Sequence, residues 1–142
     1  MTLFFTSDTH YNHNNILNLG DGRPFKDIEH HNMTLVNNWN NVVGVEDTVI
    51  HLGDVAMGMW PDGLKYVKMC VGRKILVPGN HDRSSSIYSQ TRRERFMPDY
   101  LEVFDEIWDE VSSIQLSGFK FTLSHYPYTG DSHDGDRFTK IR

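Results

Sequence analysis

Cysteine and long apolar runs are almost missing from this chain of 142 residues. The single cysteine, Cys70, cannot form an internal disulfide, which fits a reducing compartment. No segment approaches the roughly 20 apolar residues of a membrane-spanning helix, and the first residues lack the basic stretch of a signal peptide. We therefore expect a soluble, cytoplasmic protein that is not attached to a membrane.

Basic residues are also in short supply. The chain has 14 Lys and Arg against 19 Asp and Glu, which gives a net charge of −5. This balance argues against an extended basic surface for long nucleic acids, although a nucleic acid bound at one local site stays compatible with it. Apolar residues make up 38% of the chain and the length is that of a typical domain, so residues 1–142 are expected to form one domain.

Three short apolar runs predict buried β-strands at residues 3–6, 48–52 and 74–77. A helix that begins at Pro61 and ends at Gly72 is predicted between the second and third runs. A strand, a helix and a strand in so few residues form a βαβ unit. The second and third strands should therefore be parallel neighbours.

The remaining segments show other patterns. An amphipathic helix is expected from Ile28 onward, with His30 and His31 on its solvated face. Residues 84–100 are polar and rich in arginine, which indicates an excursion from the core. Residues 111–125 contain two alternating runs around a Ser-Gly turn and are predicted to form a hairpin.

Polar residues with metal-binding side chains follow the predicted strands. In an open α/β sheet the loops beyond the carboxyl ends of parallel strands meet at one crevice, so we expect these side chains to gather there. They are Asp8, His10, Asp54, Asn80, His81 and His125. Carboxylate, amide and imidazole groups together suit manganese, iron, zinc or nickel rather than calcium.

The motifs that contain these residues differ in specificity. An Asp-x-His pair or a Gly-Asp pair after a strand is ordinary turn chemistry. The string Gly-Asn-His-Asp at residues 79–82 is rarer. With residue frequencies of a few per cent, it arises by chance in roughly one chain of this length in several thousand. All of the motifs in order, each after a strand-like run, predict a functional site.

The order of motifs from residue 8 to residue 125 resembles that of the calcineurin-like metallophosphoesterase superfamily. The resemblance implies an α/β (α+β) fold in which two mixed β-sheets pack as a sandwich flanked by helices, with a dinuclear metal centre at one edge. By the family pattern, Asp8 and His10 bind the first ion and Asp54 bridges the two. Asn80 and His125 bind the second ion.

The same resemblance implies a catalytic role for His81. It would lie beside the substrate phosphate without binding metal, where it stabilises charge or protonates the leaving oxygen. Two divalent ions need a shared anionic ligand, which Asp54 supplies, and a hydroxide held by them attacks phosphorus. Manganese is the favoured ion, with iron, zinc, nickel and magnesium as alternatives.

One motif of the family is missing from the sequence. A Gly-His-x-His string normally follows the histidine that corresponds to His125 and adds one histidine to each ion. His133 lacks the Gly-His start and is interpreted as a loop residue. Either the chain stops before this motif and lacks the last strands of the second sheet, or it is a reduced variant. Each ion then has three protein ligands, counting the bridge.

Four further residues near the motifs have two interpretations each. Asp82 either orients His81 or caps its loop. Arg83 begins the arginine-rich stretch, which is either a solvated face or a lid whose arginines meet a substrate phosphate. His13 is either a surface residue or a substrate contact. His51 is either a core histidine or a hydrogen-bond partner close to the metal ligands.

The expected reaction is hydrolysis of phosphodiesters, with small or cyclic nucleotides such as the 2′,3′ form as substrates. Met57, Met59 and Trp60 follow Asp54 and either pack internally or form an apolar wall for a base. A phosphomonoesterase, a nuclease and a non-catalytic scaffold of the same fold are the alternatives. A scaffold has no reason to keep the Asn-His pair of residues 80 and 81, so the enzyme is favoured.

Overall fold

The computed structural model describes residues 1–20 and 22–127, and within them the chain forms two β-sheets and three α-helices. The strands are β1 (Leu3–Thr6), β2 (Thr48–His51), β3 (Arg73–Leu76), β4 (Glu106–Ile107), β5 (Val111–Leu116) and β6 (Phe119–Ser124). The helices are α1 (Ile28–Val42), α2 (Leu64–Met69) and α3 (Gln90–Leu101), and a short 3-10 helix, Asn14–Leu17, follows β1.

The first four strands form a parallel sheet in the order β1-β2-β3-β4. The last two strands pair antiparallel as a separate hairpin. The predicted parallel pairing of the strands around α2 is confirmed, because Ile50 of β2 lies opposite Ile75 of β3. The α/β fold class is confirmed as well. The two-residue strand β4 was not predicted, since so short a run has no readable period.

The parallel sheet is covered on both faces, and the alternation of side chains along each strand decides which residue faces which layer. Leu76 faces the helices, where it belongs to the same buried cluster as Tyr11 and Tyr100. Its neighbours on either side, Ile75 and Val77, face the hairpin and pack in the second cluster. The carboxyl ends of the strands therefore open between a helical layer and the hairpin.

The first long helix begins after Asp27, whose carboxylate accepts a hydrogen bond of 2.7 Å from the His30 N–H. Its buried face includes His31, which is fully buried, whereas Val42 at the helix end is 64% exposed. The expectation that His31 lies on a solvated face is wrong, because the Arg23 guanidinium donates to its buried ring at 2.8 Å. His30 is exposed, as predicted.

The polar segment at residues 84–100 contains most of α3, a helix that was not predicted from the sequence. The helix packs into the core through Tyr100, which is fully buried and lies with its ring 5.0 Å from that of Trp60. The segment is thus partly anchored in the helical layer. A lid function for it stays a prediction.

The predicted hairpin is confirmed, and His125 follows β6 directly. Ser117 and Gly118 form its turn, both with a positive φ. His133 lies outside the described residues. Among the helices of residues 1–20 and 22–127, none combines the length and the apolar character needed to cross a bilayer.

Candidate metal centre

The buried carboxylate of Asp54 lies at the centre of a cluster of imidazoles at the ends of the parallel strands. Its Oδ2 atom is 3.7 Å from His10 Nε2 and 3.8 Å from His81 Nε2. Its Oδ1 atom is 3.5 Å from His125 Nε2. The two oxygens of one side chain thus face different histidines.

A second carboxylate, Asp8, completes the group. Its Oδ1 atom is 3.6 Å from His10 Nε2. One ligand atom each from Asp8, Asp54 and His125 lies within 4.8 Å of the others. The neighbouring His10 ring is the largest influence that lowers the pKa of Asp8 to about 2, so this carboxylate is charged at neutral pH. Two carboxylates and imidazole nitrogens this close together suit a divalent transition-metal ion.

The tautomer of His125 supports the same interpretation. Its Nδ1 atom is 2.8 Å from the carbonyl oxygen of Leu52, and a carbonyl oxygen accepts hydrogen bonds only. Nδ1 therefore carries a proton, and in the neutral ring Nε2, which faces Asp54, has the lone pair. Histidine ligands of metals commonly donate their other ring N–H in this way. The donor set of the site thus fits a metal ion.

The backbone of the strand-end loops is strained at the residues that supply the cluster. Asp8, His10 and Asp54 have φ values of 55°, 47° and 57°, in the left-handed region that non-glycine residues seldom adopt. Such strain tends to be found at functional sites, where the surroundings hold it in place. With this backbone conformation the loops turn sharply, and the side chains of the three residues point into the crevice.

Two glycines allow the loops after β2 and β3 to touch. A Cβ atom on Gly79 would lie 2.3 Å from Asp54 Oδ1, and a Cβ on Gly53 would lie 2.4 Å from the Gly79 nitrogen. No side chain fits in either position. The glycines of the Gly-Asp and Gly-Asn-His-Asp motifs are therefore required by the approach of the two loops, and this approach lets the His81 N–H donate to Asp54 Oδ1 at 2.9 Å.

The fully buried Asp82 connects the same two loops. Its carboxylate accepts hydrogen bonds from the backbone N–H groups of Asp54 and Gly79, both at 2.8 Å, and of Val55 at 3.1 Å. Burial raises the pKa of Asp82 to about 6. Of its two interpretations, these contacts favour the loop cap, because its described hydrogen bonds go to backbone amides and to Tyr100.

His51 connects the loops after β1 and β2. Its Nδ1 atom accepts from the Gly53 N–H at 3.2 Å, so Nε2 carries the proton and donates to Thr9 Oγ1 at 3.0 Å. The Thr9 hydroxyl then donates to the Val55 carbonyl at 2.8 Å. Burial lowers the pKa of His51 to about 3, so the ring is neutral. His51 is a core histidine and at the same time holds the loop that carries Asp54.

The structure places the two members of the Asn-His pair differently. Asn80 is half-buried in the loop, its carbonyl accepts a hydrogen bond of 3.3 Å from the Tyr88 hydroxyl, and its side-chain amide makes no hydrogen bond within the described residues. The His81 side chain is 41% exposed while its Nε2 atom faces Asp54. His81 is thus open to a ligand from solvent. The roles assigned to both residues stay predictions.

Arg83 packs between aromatic rings. Its guanidinium carbon lies 4.7 Å from the centre of the Trp60 ring and 4.5 Å from that of Phe96. Trp60 thus takes part in internal packing, while Met59 is exposed. A substrate contact of Arg83 stays a prediction.

His13 and Arg23 lie close to the cluster. The His13 ring is 5.2 Å from that of His10 and half-buried, and burial is the main cause that lowers the pKa of His13.

The contacts of Arg23 were not predicted from the sequence. Its guanidinium donates to the carbonyl oxygens of Asp8 at 2.7 Å and Thr9 at 3.2 Å, which stabilises the strained loop after β1. Its place in a Gly-Arg-Pro turn gave no signal of this.

Comparisons with known proteins find relatives along most of this chain. Gene 66 protein of Mycobacterium phage L5 is 32% identical over 152 residues, covering 98% of this chain and 70% of that protein. An uncharacterized protein of Methanocaldococcus jannaschii is 32% identical over 127 residues, covering 88% of this chain and 58% of that protein. A crystal structure of a protein of unknown function from Aquifex aeolicus is 35% identical with a TM-score of 0.69, covering 92% of this chain and 63% of that one.

A family model adds the more specific finding. The model described as calcineurin-like phosphoesterase matches residues 1–141. The match covers nearly the whole chain and includes every motif of the cluster. The resemblance inferred from the order of the motifs is confirmed. The chain spans less than two thirds of the archaeal relative and of the Aquifex aeolicus structure.

Proposed function

We propose that this chain, which belongs to the calcineurin-like phosphoesterase family, acts as a metal-dependent phosphodiesterase on small nucleotides. Cyclic nucleotides such as the 2′,3′ form are the first candidates. The observation that carries the proposal is the central position of Asp54, whose two oxygens face His10 and His81 on one side and His125 on the other. One carboxylate oxygen for each of two ions is what a bridging ligand offers.

The proposed ligands follow from this arrangement. Asp8 and His10 would hold the first ion, Asn80 and His125 would hold the second, and Asp54 would be shared. Divalent ions at such a site supply an activated water near neutral pH and offset the charge on the phosphate oxygens. Manganese is favoured, because the set combines carboxylate, amide and imidazole groups.

In this proposal His81 serves the leaving group. Its ring is open to solvent, and its Nε2 atom lies 3.8 Å from the shared carboxylate, so a phosphate held beside Asp54 is within reach. An imidazole there protonates the departing oxygen or stabilises its charge. The backbone N–H of His81 donates a hydrogen bond to Asp54, which holds the backbone of His81 next to the centre.

The charges around the site support a diester substrate. A monoester carries an additional negative charge that needs a cationic partner. Arg23 is the arginine nearest to Asp8 in the sequence. Its guanidinium already donates hydrogen bonds to the carbonyl oxygens of Asp8 and Thr9 and to His31, so it is engaged within the protein and not in binding this additional charge. The net charge of −5 disfavours long polyanions as substrates.

A panel of esters tests the proposed substrate class. Bis-p-nitrophenyl phosphate, p-nitrophenyl phosphate, 2′,3′-cyclic nucleotides and single-stranded DNA are compared under the same Mn²⁺ conditions. We expect the diesters to be cleaved fastest, and we expect chelation to abolish hydrolysis and Mn²⁺ to restore it. A preference for the monoester would indicate a phosphatase, and a preference for DNA would indicate a nuclease. Full activity in excess chelator after dialysis would contradict the metal dependence.

The variant His81→Ala tests the role of this residue. It should keep its bound metal and lose rate by a factor on the order of 10²–10⁴, as expected for an acid–base group. The loss should be smaller for esters with good leaving groups, since these need little protonation. His30→Ala, an exposed histidine of α1, is the matched control and should behave as the native chain. An equal loss on good and poor leaving groups would make His81 a phosphate-positioning residue.

A further inference from the structure

The ring of His13 contacts the ring of His10 at the edge of the candidate metal centre. Their Nδ1 atoms are 3.3 Å apart. The backbone fixes this contact, because the His13 N–H donates to the His10 carbonyl at 3.2 Å and the His13 carbonyl accepts from Ile16 at the start of the 3-10 helix. Two ring nitrogens at this distance form a hydrogen bond when one carries the proton and the other does not.

The other nitrogen of His10 decides which ring donates. His10 Nε2 faces Asp8 Oδ1 at 3.6 Å and Asp54 Oδ2 at 3.7 Å. A nitrogen that binds a cation between these carboxylates must keep its lone pair. The proton of His10 then lies on Nδ1, and the acceptor of that proton is His13 Nδ1.

The same arrangement recurs at His125. There Nδ1 donates to the Leu52 carbonyl, and Nε2 faces Asp54. Two histidines on opposite sides of the shared carboxylate thus have the same ring orientation. They differ in their partner, which is a backbone carbonyl for His125 and a side chain for His10. A side-chain partner can be removed by mutation without altering the backbone.

We propose that His13 is a positioning residue that accepts the Nδ1 proton of His10 and thereby presents the Nε2 lone pair of His10 to the metal ion. The inference rests on the proposed function, since it assumes an ion between Asp8 and Asp54. Partners of this kind fix the orientation of a ligand ring, and their loss typically weakens metal binding by 10- to 100-fold. His13 is then part of the metal site without touching the ion.

Three variants distinguish this positioning role from a substrate contact and from a role in packing alone. His13→Ala removes the acceptor, and His13→Phe keeps the ring size without any nitrogen. His13→Asn keeps an acceptor oxygen close to the position of Nδ1. Affinity is measured by calorimetric titration with Mn²⁺ alone, and urea denaturation of the ion-free protein checks that each variant folds. The control is His30→Ala.

We expect the Ala and Phe variants to bind Mn²⁺ about 10- to 100-fold more weakly than the native chain and the Asn variant to bind within a few-fold of it. In the Zn²⁺-loaded native protein, nitrogen NMR should show the His10 proton on Nδ1. Native affinity in the Ala and Phe variants, with a raised KM instead, would overturn the proposal and make His13 a substrate contact.

The outcomes also separate this inference from the proposed function. A native chain that binds Mn²⁺ and cleaves none of the esters would contradict the proposed function, while the affinities of the variants still decide the role of His13. A native chain that binds no Mn²⁺ would overturn both. Loss of affinity in the Phe variant with rescue in the Asn variant supports the hydrogen bond, because a role in packing alone would give the opposite order.

Discussion

Two parts of the molecule build the candidate centre in different ways. The loops after β1, β2 and β3 are held by side chains that bond backbone groups across the loops, namely Asp82, His51 and Arg23. The hairpin contributes His125, which is held by its bond to the Leu52 carbonyl. The hairpin packs on the sheet at Leu123, while Phe119 at its far end is 70% exposed.

The difference shows where strain is tolerated. Asp8, His10, Asn12 and Asp54 have left-handed backbone in the strand-end loops, whereas the hairpin has one such non-glycine residue, Ser117, in its exposed turn. Left-handed backbone at non-glycine residues costs on the order of 1–3 kcal/mol each and persists only when neighbouring contacts determine it. We therefore expect the loops to depend on their buried polar groups. The hairpin should depend only on the residues that contact the sheet.

The largest effect is expected from Asp54→Ala. The change removes the carboxylate that faces His10 and His81 through one oxygen and His125 through the other. Bound metal and hydrolysis should both fall below detection, a greater loss than the roughly 10²–10⁴-fold caused by removing an acid–base group. Metal analysis after dialysis and the rate on a diester measure this. The exposed Asp62→Ala should retain both, and near-native metal content in Asp54→Ala would contradict a bridging role.

A large loss of stability is expected from Asp82→Ala. The change leaves the buried N–H groups of Asp54, Val55 and Gly79 without their acceptor. Each such group costs about 1–3 kcal/mol, so the free energy of unfolding should fall by 3 kcal/mol or more, on the order of that sum. Urea denaturation measures it. Asp82→Asn, which keeps one acceptor oxygen, should lose less, and the exposed Asp109→Ala should be neutral. Equal stability of all three variants would show that the loops are held by other contacts.

A smaller effect is expected from pH through His51. Burial lowers the pKa of His51 to about 3 from the ordinary 6.5, so between these values only the unfolded chain takes up the proton. The stability that neutral His51 contributes is therefore present above about pH 6.5 and is lost as the pH falls. From pH 7 to pH 5 the loss should be on the order of 2 kcal/mol, at about 1.4 kcal/mol per pH unit.

The variant His51→Gln isolates this contribution. It is less stable than the native chain at pH 7, but its stability should fall less between pH 7 and pH 5. Asp82 has the opposite effect on the pH dependence of stability, because its pKa is raised from 3.8 to about 6. Both proteins contain Asp82, so its contribution cancels when their pH responses are compared. Urea denaturation of the ion-free proteins at both pH values measures the effect. An identical pH response in the two proteins would contradict it.

Local sequence patterns predicted the strands and the motif residues better than the contacts between residues that are distant in the chain. The strands and the motif residues could be read from the sequence because apolar runs, turns and metal-binding side chains are local features. The contacts of Arg23 with Asp8 and of Asp82 with Asp54 join residues far apart in the chain. No periodicity encodes such contacts. The burial of His31 was missed for the same reason, since its partner Arg23 lies outside the helix.

The smallest effect is expected at the far end of the hairpin. Phe119 and Leu123 lie on the same face of β6, because they are four residues apart on one strand. Leu123 is 6% exposed and packs with Ile50 and Ile75, whereas Phe119 is 70% exposed. Leu123→Ala should therefore cost about 2–5 kcal/mol, and Phe119→Ala less than about 0.5 kcal/mol.

Urea denaturation of this pair measures what contact with the sheet contributes, since the strand, the face and the replacement residue are the same. A cost at Phe119 as large as that at Leu123 would show that the far end of the hairpin is covered in solution, and the comparison between loops and hairpin would then fail. If a second copy of the chain were the cover, the midpoint of unfolding would rise with protein concentration, because association stabilises by mass action. If the midpoint is independent of concentration and Phe119→Ala has a negligible effect, β6 is held by its contacts with the sheet alone. Those contacts lie close to His125, which follows β6 directly.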